Sequence, residues 1–229
     1  MIELHDVSYG YGDTILLDRI SLELAPGAFY FLTGPSGVGK TTLIKLCYGE
    51  LIATSGQVTL FGQDAAAMTR DDVALTRRRI GVVHQECRFL DHLSVTENVA
   101  LPVTVAGRNT PAARQRVEQD MEELLGWVGL KGHRDALPPE LSGGERQRAA
   151  LARAVIMSPD VILADEPTGN IDWEMSLRLL TLLVELNRMG KTVLLATHDM
   201  NLIRQVKKQV AARVLRISGG TLHLAGADL

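Results

Sequence analysis

Cysteine is scarce in this 229-residue chain: Cys47 and Cys87 are the only two. They form no metal or redox spacing, which excludes a zinc module, a dithiol active site and a disulfide-framed scaffold, and buried thiols in a reducing compartment are expected. Long hydrophobic runs are also missing. No apolar stretch reaches the roughly 18 residues that crossing a bilayer requires, so a membrane role would have to come through a partner. A basic surplus is absent as well: the formal net charge is −3, and nothing points to a nucleic-acid surface. Met1 leads directly into the strand-like IELHDVSY, so no targeting signal is expected. Neither an internal repeat nor a low-complexity segment is visible, and the length suits one α/β core with a smaller helical insert.

What the chain does have is glycine placed where phosphate chemistry uses it. GPSGVGKTT (Gly34, Pro35, Ser36, Gly37, Val38, Gly39, Lys40, Thr41, Thr42) satisfies G-x-x-x-x-G-K-[ST] in full. Its glycines let the backbone curl around phosphates, Lys40 brings a point charge to the β and γ oxygens, and the Thr41 hydroxyl suits Mg²⁺. The apolar run FYFLT precedes it and the helically spaced TLIKLCYGEL follows, which is the strand, loop and helix the pattern needs. LSGGERQR, Leu141 to Arg148, repeats the idea of glycines opening a helix whose N-terminal amides favour anions. Two such seats in one chain suggest a nucleotide gripped from two sides.

VILADE, Val161 to Glu166, places two carboxylates after a buried strand. In the phosphoryl-transfer template Asp165 would hold Mg²⁺ through water and Glu166 would polarise the attacking water. The competing reading is that the pair caps the next helix, because Pro167, Thr168 and Gly169 form a turn. Along the rest of the chain, residues 1–33 read as strands turned by Pro26 and Gly27, with more strands over Gln57–Gly62 and Ile80–Gln85. SVTENVALPVTVAG and PAARQRVEQDMEELLGWVGL read as helices, the first interrupted by Pro102 and the second beginning near Pro111. A helix over MSLRLLTLLVELNRMG ends at Gly190, and a strand pair closes the chain near Thr221–Leu224. Alternating β and α elements predict a mainly parallel sheet covered on both faces.

GPSGVGKTT, VVHQE, LSGGERQR, VILADE, GNID and LLATHD stand in an order that resembles the ATPase subunits of ABC transporters over nearly the whole chain. The resemblance implies an α/β fold of the ABC-type P-loop NTPases: a mainly parallel core sheet, an antiparallel β subdomain and a helical insert. All 229 residues would form one ATPase domain, with 1–86 and 158–229 as the core and about 87–157 as the helical subdomain carrying the signature helix. ATP and Mg²⁺ are the implied cofactors. Glu166, His198 and Gln85 would be catalytic, Gln85 joining Thr41 and Asp165 around the metal and His198 steadying the γ-phosphate, water and Glu166. Tyr11 would stack on adenine, although Tyr9 lies close enough to be confused with it. Leu141, Ser142, Gly143, Gly144 and Glu145 would close over the ATP held by a second copy, with Asp172 crossing the interface, so a homodimer on ATP binding is implied. Position 145 is Glu where the broad pattern has Gln.

Within the family, LADEPTGN, NRMGKTVLLATHDMNLI and FLTGPSGVGKTTLIKL resemble the branch that serves bacterial cell division. That implies an FtsX-like integral membrane partner, ATP cycling that regulates cell-wall hydrolysis, and a peripheral position on the cytoplasmic face of the inner membrane. The branches for lipoprotein release and macrolide export share the ADEPTGN run, and a soluble ATP-gated scaffold is a further alternative. The partner is expected to dock between Gln85 and Pro102, in a groove lined by residues such as Phe89 and Leu90; otherwise these two pack beneath the helical insert.

Overall fold

The computed structural model describes residues 1–12, 14–107, 111–169 and 171–225, with the backbone alone for 111–114 and 116. Asn170, part of the GNID and ADEPTGN runs, lies outside them. In chain order come β1 (Ile2–Tyr11), β2 (Thr14–Leu24), β3 (Phe29–Thr33), α1 (Lys40–Cys47), β4 (Ser55–Leu60), β5 (Gln63–Asp64), α2 (Arg70–Arg77) and β6 (Ile80–Val83). Then follow α3 (Val95–Val105), α4 (Pro111–Trp127), α5 (Gly143–Val155), β7 (Val161–Asp165), α6 (Trp173–Arg188), β8 (Thr192–Ala196), α7 (Met200–Lys207), β9 (Ala212–Ser218) and β10 (Thr221–Leu224), with short 3₁₀ turns at Lys131–His133 and Pro138–Glu140.

FYFLT, VILAD and TVLLA are buried at every position, as strands covered on both faces must be. Their side chains alternate between two cores. Phe29, Phe31, Ile162, Ala164, Val193 and Leu195 face the core built with α3 to α7. Tyr30, Leu32, Val161, Leu163, Leu194 and Ala196 face the core built with α1 and the first sheet. This main sheet has the order β10-β9-β3-β8-β7-β6, parallel from β9 to β6 with β10 added antiparallel at one edge. The first sheet, β2-β1-β4-β5, is antiparallel throughout. The α/β fold with its parallel core, antiparallel sheet and helices is the one expected.

Several boundaries differ from the sequence reading. Helix α3 is not interrupted at Pro102 but runs through it. A proline in a helix interior costs about 3 kcal/mol. Here a reciprocal cap opposes that cost, Ser94 Oγ accepting from the Glu97 amide while the Glu97 carboxylate accepts from the Ser94 amide, as does burial of Val95, Val99 and Val103. The strand expected over Ile80–Gln85 stops at Val83, leaving His84 and Gln85 in the loop. The strand near Gln57–Gly62 runs Ser55–Leu60 instead, because Phe61 and Gly62 take positive φ values of 50° and 85°. Helix α1 ends at Cys47, before Gly49 with φ 68°. Helix α2 was not foreseen, although Thr69 and Asp72 form a capping box that marks its start.

Ligands in open α/β sheets bind beyond the carboxyl ends of the strands. Here β3, β8, β7 and β6 are consecutive neighbours, and their carboxyl ends lead to Gly34, His198, Glu166 and Gln85 respectively. Register aligns them, since Leu32 pairs with Ala196 and Ala196 with Asp165. The ladder continues past the strand ends: Thr197 N–H donates to Leu32 O at 3.0 Å and Glu166 N–H to Ala196 O at 3.0 Å.

Candidate nucleotide site

The phosphate loop leaves β3 and re-enters structure at α1. Gly34 has φ 147°, and a Cβ there would stand 2.7 Å from Ile217 O; Gly39 has φ 108°, and its Cβ would meet Leu17 Cδ2 at 2.8 Å. Only glycine fits both places without displacement. No side chain caps α1, whereas Thr69, Ser94, Ser142, Asp172 and Asp199 cap α2, α3, α5, α6 and α7. An uncapped helix start beside a glycine loop leaves its amides for an anion.

Lys40 is only 6% exposed. Its Nζ donates to Gly34 O at 2.9 Å and Pro35 O at 3.1 Å, and pairs with Glu166 Oε1 at 3.1 Å. The second carboxylate oxygen of Glu166 lies 3.2 Å from His198 Nδ1. Glu166 itself has φ 45°, a left-handed conformation costly for a non-glycine residue and typical of functional positions. Asp165 is 7% exposed; burial raises its carboxyl above the ordinary range, the Thr41 hydroxyl bonded to it opposes this, the neighbouring Glu166 charge adds to it and Lys40 opposes it. A buried acid beside a hydroxyl, at the foot of an anion-binding loop, is a donor pair suited to a hard cation. Among the described residues no group of three or more His, Cys, Asp or Glu could hold a metal alone, so a cation there would take most of its ligands from phosphate and water.

The helix-capping reading of the two carboxylates fails, because the N-cap of α6 is Asp172. His198 is likewise not part of a helix start, since Asp199 caps α7. It borders a cavity of about 310 Å³ with Glu166, Gly169 and Thr197. A second cavity of about 200 Å³ is walled by Thr41, Lys45, Tyr48, His84, Gln85 and Asp165, among others. Burial lowers the His84 pKa, and Arg88 nearby adds to the effect. Tyr11 is 58% exposed and stands edge-on to Tyr9 at 5.2 Å. Tyr9 packs on the core and pairs with Leu17, which touches Gly39, so the hairpin tip bearing Tyr11 adjoins the phosphate loop.

The signature segment lines neither of these cavities. Leu141 is buried in the core while Ser142 and Gly143 are exposed. Ser142 Oγ donates to Glu145 Oε2 at 2.7 Å, the Ser142 amide donates to the same oxygen at 2.8 Å, and His133 Nε2 lies 3.3 Å from Glu145 Oε1. Buried Gly144 faces Met175, whose amide donates to Asp172 Oδ1, so the signature and Asp172 adjoin each other. Sequence reasoning missed two side chains that tie α5 to the loop after β6. Gln147 Nε2 donates to Gln85 O at 2.9 Å, and the Arg153 guanidinium donates to the carbonyls of Cys87 and Arg88 while lying 4.6 Å over the Phe89 ring. A buried Gln and an Arg on an otherwise alanine-rich helix face were the available signals. Phe89 is thus half-buried beneath Arg153, whereas Leu90 is 44% exposed.

A family model described as ABC transporter matches residues 17–169. The chain belongs to the ABC transporter family. It is an ABC ATPase, a nucleotide-binding subunit that hydrolyses ATP. The chain is 42% identical over 210 residues to the cell division ATP-binding protein FtsE of Haemophilus influenzae, covering 91% of this chain and 94% of that one. Identity to FtsE of Bacillus subtilis is 40%, over 93% of this chain and 92% of that one, and to FtsE of Escherichia coli it is 41%, over 97% of each. Among solved structures, the ATP-binding cassette MJ0796, as a post-hydrolysis dimer bound to ADP and Pi, superposes with a TM-score of 0.86 at 31% identity, covering 97% of both chains. A dimeric structure of the same bacterial ABC transporter cassette gives a TM-score of 0.84 at 32% identity and the same coverage.

Proposed function

We propose that two copies of this ABC ATPase close on two ATP molecules and drive an FtsX-like membrane partner that regulates cell-wall hydrolysis during bacterial division. The observation that carries the chemistry is the Glu166 carboxylate held between Lys40 and His198 on a left-handed backbone. The FtsE likeness over more than nine-tenths of the chain supports the division role.

Residues 34–42 bind the phosphates with uncapped amides, and Lys40 transfers its ammonium from Glu166 to the β and γ oxygens. Freed from that pair, Glu166 polarises a water for attack on the γ-phosphorus, giving ADP and phosphate, while His198 holds its other oxygen. Thr41, Gln85 and, through water, Asp165 would hold Mg²⁺, which would offset charge on the phosphates. Tyr11 stacks on adenine. Ser142, Gly143 and Gly144, positioned by Leu141 and Glu145, meet the nucleotide of the other copy beside Asp172. That the signature lines neither cavity beside Glu166 within one copy supports this pairing. No helix among the described residues is long and apolar enough to cross a membrane, so attachment to the cytoplasmic face of the inner membrane comes through the partner. That partner docks near Gln85 to Pro102, where a cavity of about 480 Å³ lies beside the loop and α3.

The test is to trap the Glu166→Gln chain with ATP in gently solubilised membranes and identify the co-purifying membrane protein by mass spectrometry. An FtsX-like permease is expected. A lipoprotein-release or macrolide-export permease would refute the division role, and recovery of no membrane protein would refute the membrane partner.

A further inference from the structure

Trp173 breaks the local rules of its position. It is the first residue of α6, directly after the Asp172 cap, a place that suits proline or a strong helix former better than a bulky indole. Nor is it a core residue, being 46% exposed. Among the described residues no hydrogen bond or ring contact holds its indole, whereas Trp127, the only other tryptophan, donates to Glu185 Oε2 at 2.7 Å. A large side chain that serves neither helix nor core marks a functional position.

The indole borders the cavity of about 310 Å³ that Glu166 and His198 also line. No residue of the phosphate loop lines this cavity, so the space belongs to the hydrolytic pair rather than to the phosphate seat. Thr168, Gly169, Ser176 and Thr197 supply small walls, and Trp173 is the largest side chain among the lining residues. His198 needs a wall of that size. Its side chain is 69% exposed, and among the described residues the only partner of its ring is Glu166 Oε2 at 3.2 Å. A pair so exposed does little to hold either member in place, and the cavity gives the imidazole room to turn away. Catalytic groups stay in register when packing locks their rotamers.

We propose that Trp173 is a positioning residue for hydrolysis: its indole walls the cavity, restricts the space into which the His198 imidazole can turn, and so keeps that ring on Glu166. This rests on the roles proposed for Glu166 and His198 in turnover and adds the side chain that holds them together. Trp173 touches no reacting atom. Its removal therefore lowers kcat without altering ATP binding, and does so only while His198 is present. The backbone also permits a variant that removes the indole alone. Asp172 has φ −67° and ψ 170°, the extended region required before proline, and the amide at the first helical position has no partner within the helix. Trp173→Pro thus keeps the helix start.

Steady-state phosphate release gives kcat and KM for the full chain as wild type, Trp173→Ala, Trp173→Pro and Trp173→Phe, and for Trp173→Ala combined with His198→Ala. Thermal unfolding midpoints are the folding control; should the alanine chain unfold, the proline and phenylalanine variants carry the test. Trp173→Ala and Trp173→Pro are each expected to lower kcat about fivefold to tenfold, with KM changed by less than about twofold. Trp173→Phe keeps a flat apolar wall and should retain roughly half of the wild-type rate or more. Once His198 is alanine, removing Trp173 should change kcat by less than about twofold, because the ring it steadies is gone. Wild-type kcat in a folded Trp173→Pro chain would show that the indole has no part in turnover and overturn the proposal. Equal losses with and without His198 would mean that Trp173 does not act through that ring, and would also overturn it. A loss that vanishes at protein concentrations where light scattering shows the dimer complete would make Trp173 a contact between copies instead, and the proposal falls. If His198→Ala alone turns over like wild type, the role of His198 itself fails, an outcome distinct from a Trp173→Pro chain with unchanged kcat.

Discussion

Replacing Glu166 by glutamine perturbs two functions of one carboxylate, and the structure assigns them opposite signs. The first is catalytic. Glutamine keeps the size and one acceptor oxygen but cannot take up a proton or bring negative charge to a water. Loss of a positioned general base costs roughly 10²–10⁴ in rate, equivalent to about 2.7–5.5 kcal/mol of barrier. The second concerns binding. Glu166 Oε1 holds Lys40 Nζ at 3.1 Å, with side-chain exposures of 18% and 6%, so ATP must displace a shielded ion pair to engage the lysine. A hydrogen bond to a charged group contributes about 1.5–3 kcal/mol. The glutamine carbonyl still accepts from Lys40, so the lower end applies, and roughly tenfold tighter ATP binding follows from about 1.4 kcal/mol. Steady-state phosphate release and calorimetric ATP titration of the purified full chain read the two effects separately, and light scattering follows the dimer. Turnover at the wild-type rate would refute Glu166 as the residue that polarises water. Weaker ATP binding would refute the competition for Lys40.

Lys40→Ala removes the ammonium and should weaken ATP binding by about 3 kcal/mol, roughly a hundredfold, in the same titration; unchanged affinity would refute the phosphate-loop reading. Arg153→Met keeps an apolar stem over Phe89 but strips donors from the Cys87 and Arg88 carbonyls. Urea unfolding should report a loss of about 2–4 kcal/mol, and a change under 1 kcal/mol would mean the staple carries little. Glu145 has its pKa lowered by the Ser142 hydroxyl and amide, so its stabilisation is present above the unfolded carboxyl value and lost as pH falls through the lower folded value. Below about pH 4.5 the stability of wild type should therefore fall more steeply than that of Glu145→Gln; parallel pH profiles would show that the cap does not sense protonation.

How much was legible in the sequence followed from whether the information was local. The phosphate loop, the acid after β7 and the histidine after β8 could be read because each lies within a few residues of an apolar strand. Their meeting came only with the family resemblance and not from local pattern, because Lys40, Glu166 and His198 converge through the neighbouring order β3, β8, β7, and that order is set by packing on both faces of the sheet. The dihedral strain at Glu166 left no trace in residue type. Pro102 misled because local propensity favours a break, while a capping box and three buried valines on α3 oppose it. Phe89 was ambiguous for a related reason: its burial depends on Arg153, 64 positions later by subtraction of the two residue numbers, and nothing near Phe89 announces that partner.

Helix α5 has a different anchor at each end, and this bears on how the two halves of the site can be related. At its start, Glu145 turns back to Ser142 and pairs with His133, so its carboxylate is absorbed by the cap, and the exposed Gly143 remains available to an anion. A carboxylate where the broad family has an amide is therefore compatible with a phosphate seat. At its far end Arg153 grips the two left-handed residues Cys87 and Arg88. Between them Ala149, Ala150, Leu151 and Ala152 are buried, and thirteen residues at a rise of about 1.5 Å give a rod of about 20 Å. Because His84 and Arg88 border both the cavity walled by Thr41 and Asp165 and the 480 Å³ groove beside α3, the loop held by this rod is a common wall. Anything that displaces that wall from the groove side has to move the cavity side or break the Arg153 and Gln147 contacts. In the proposed dimer, those contacts would make the signature helix a mechanical link from the groove to the nucleotide of the second copy.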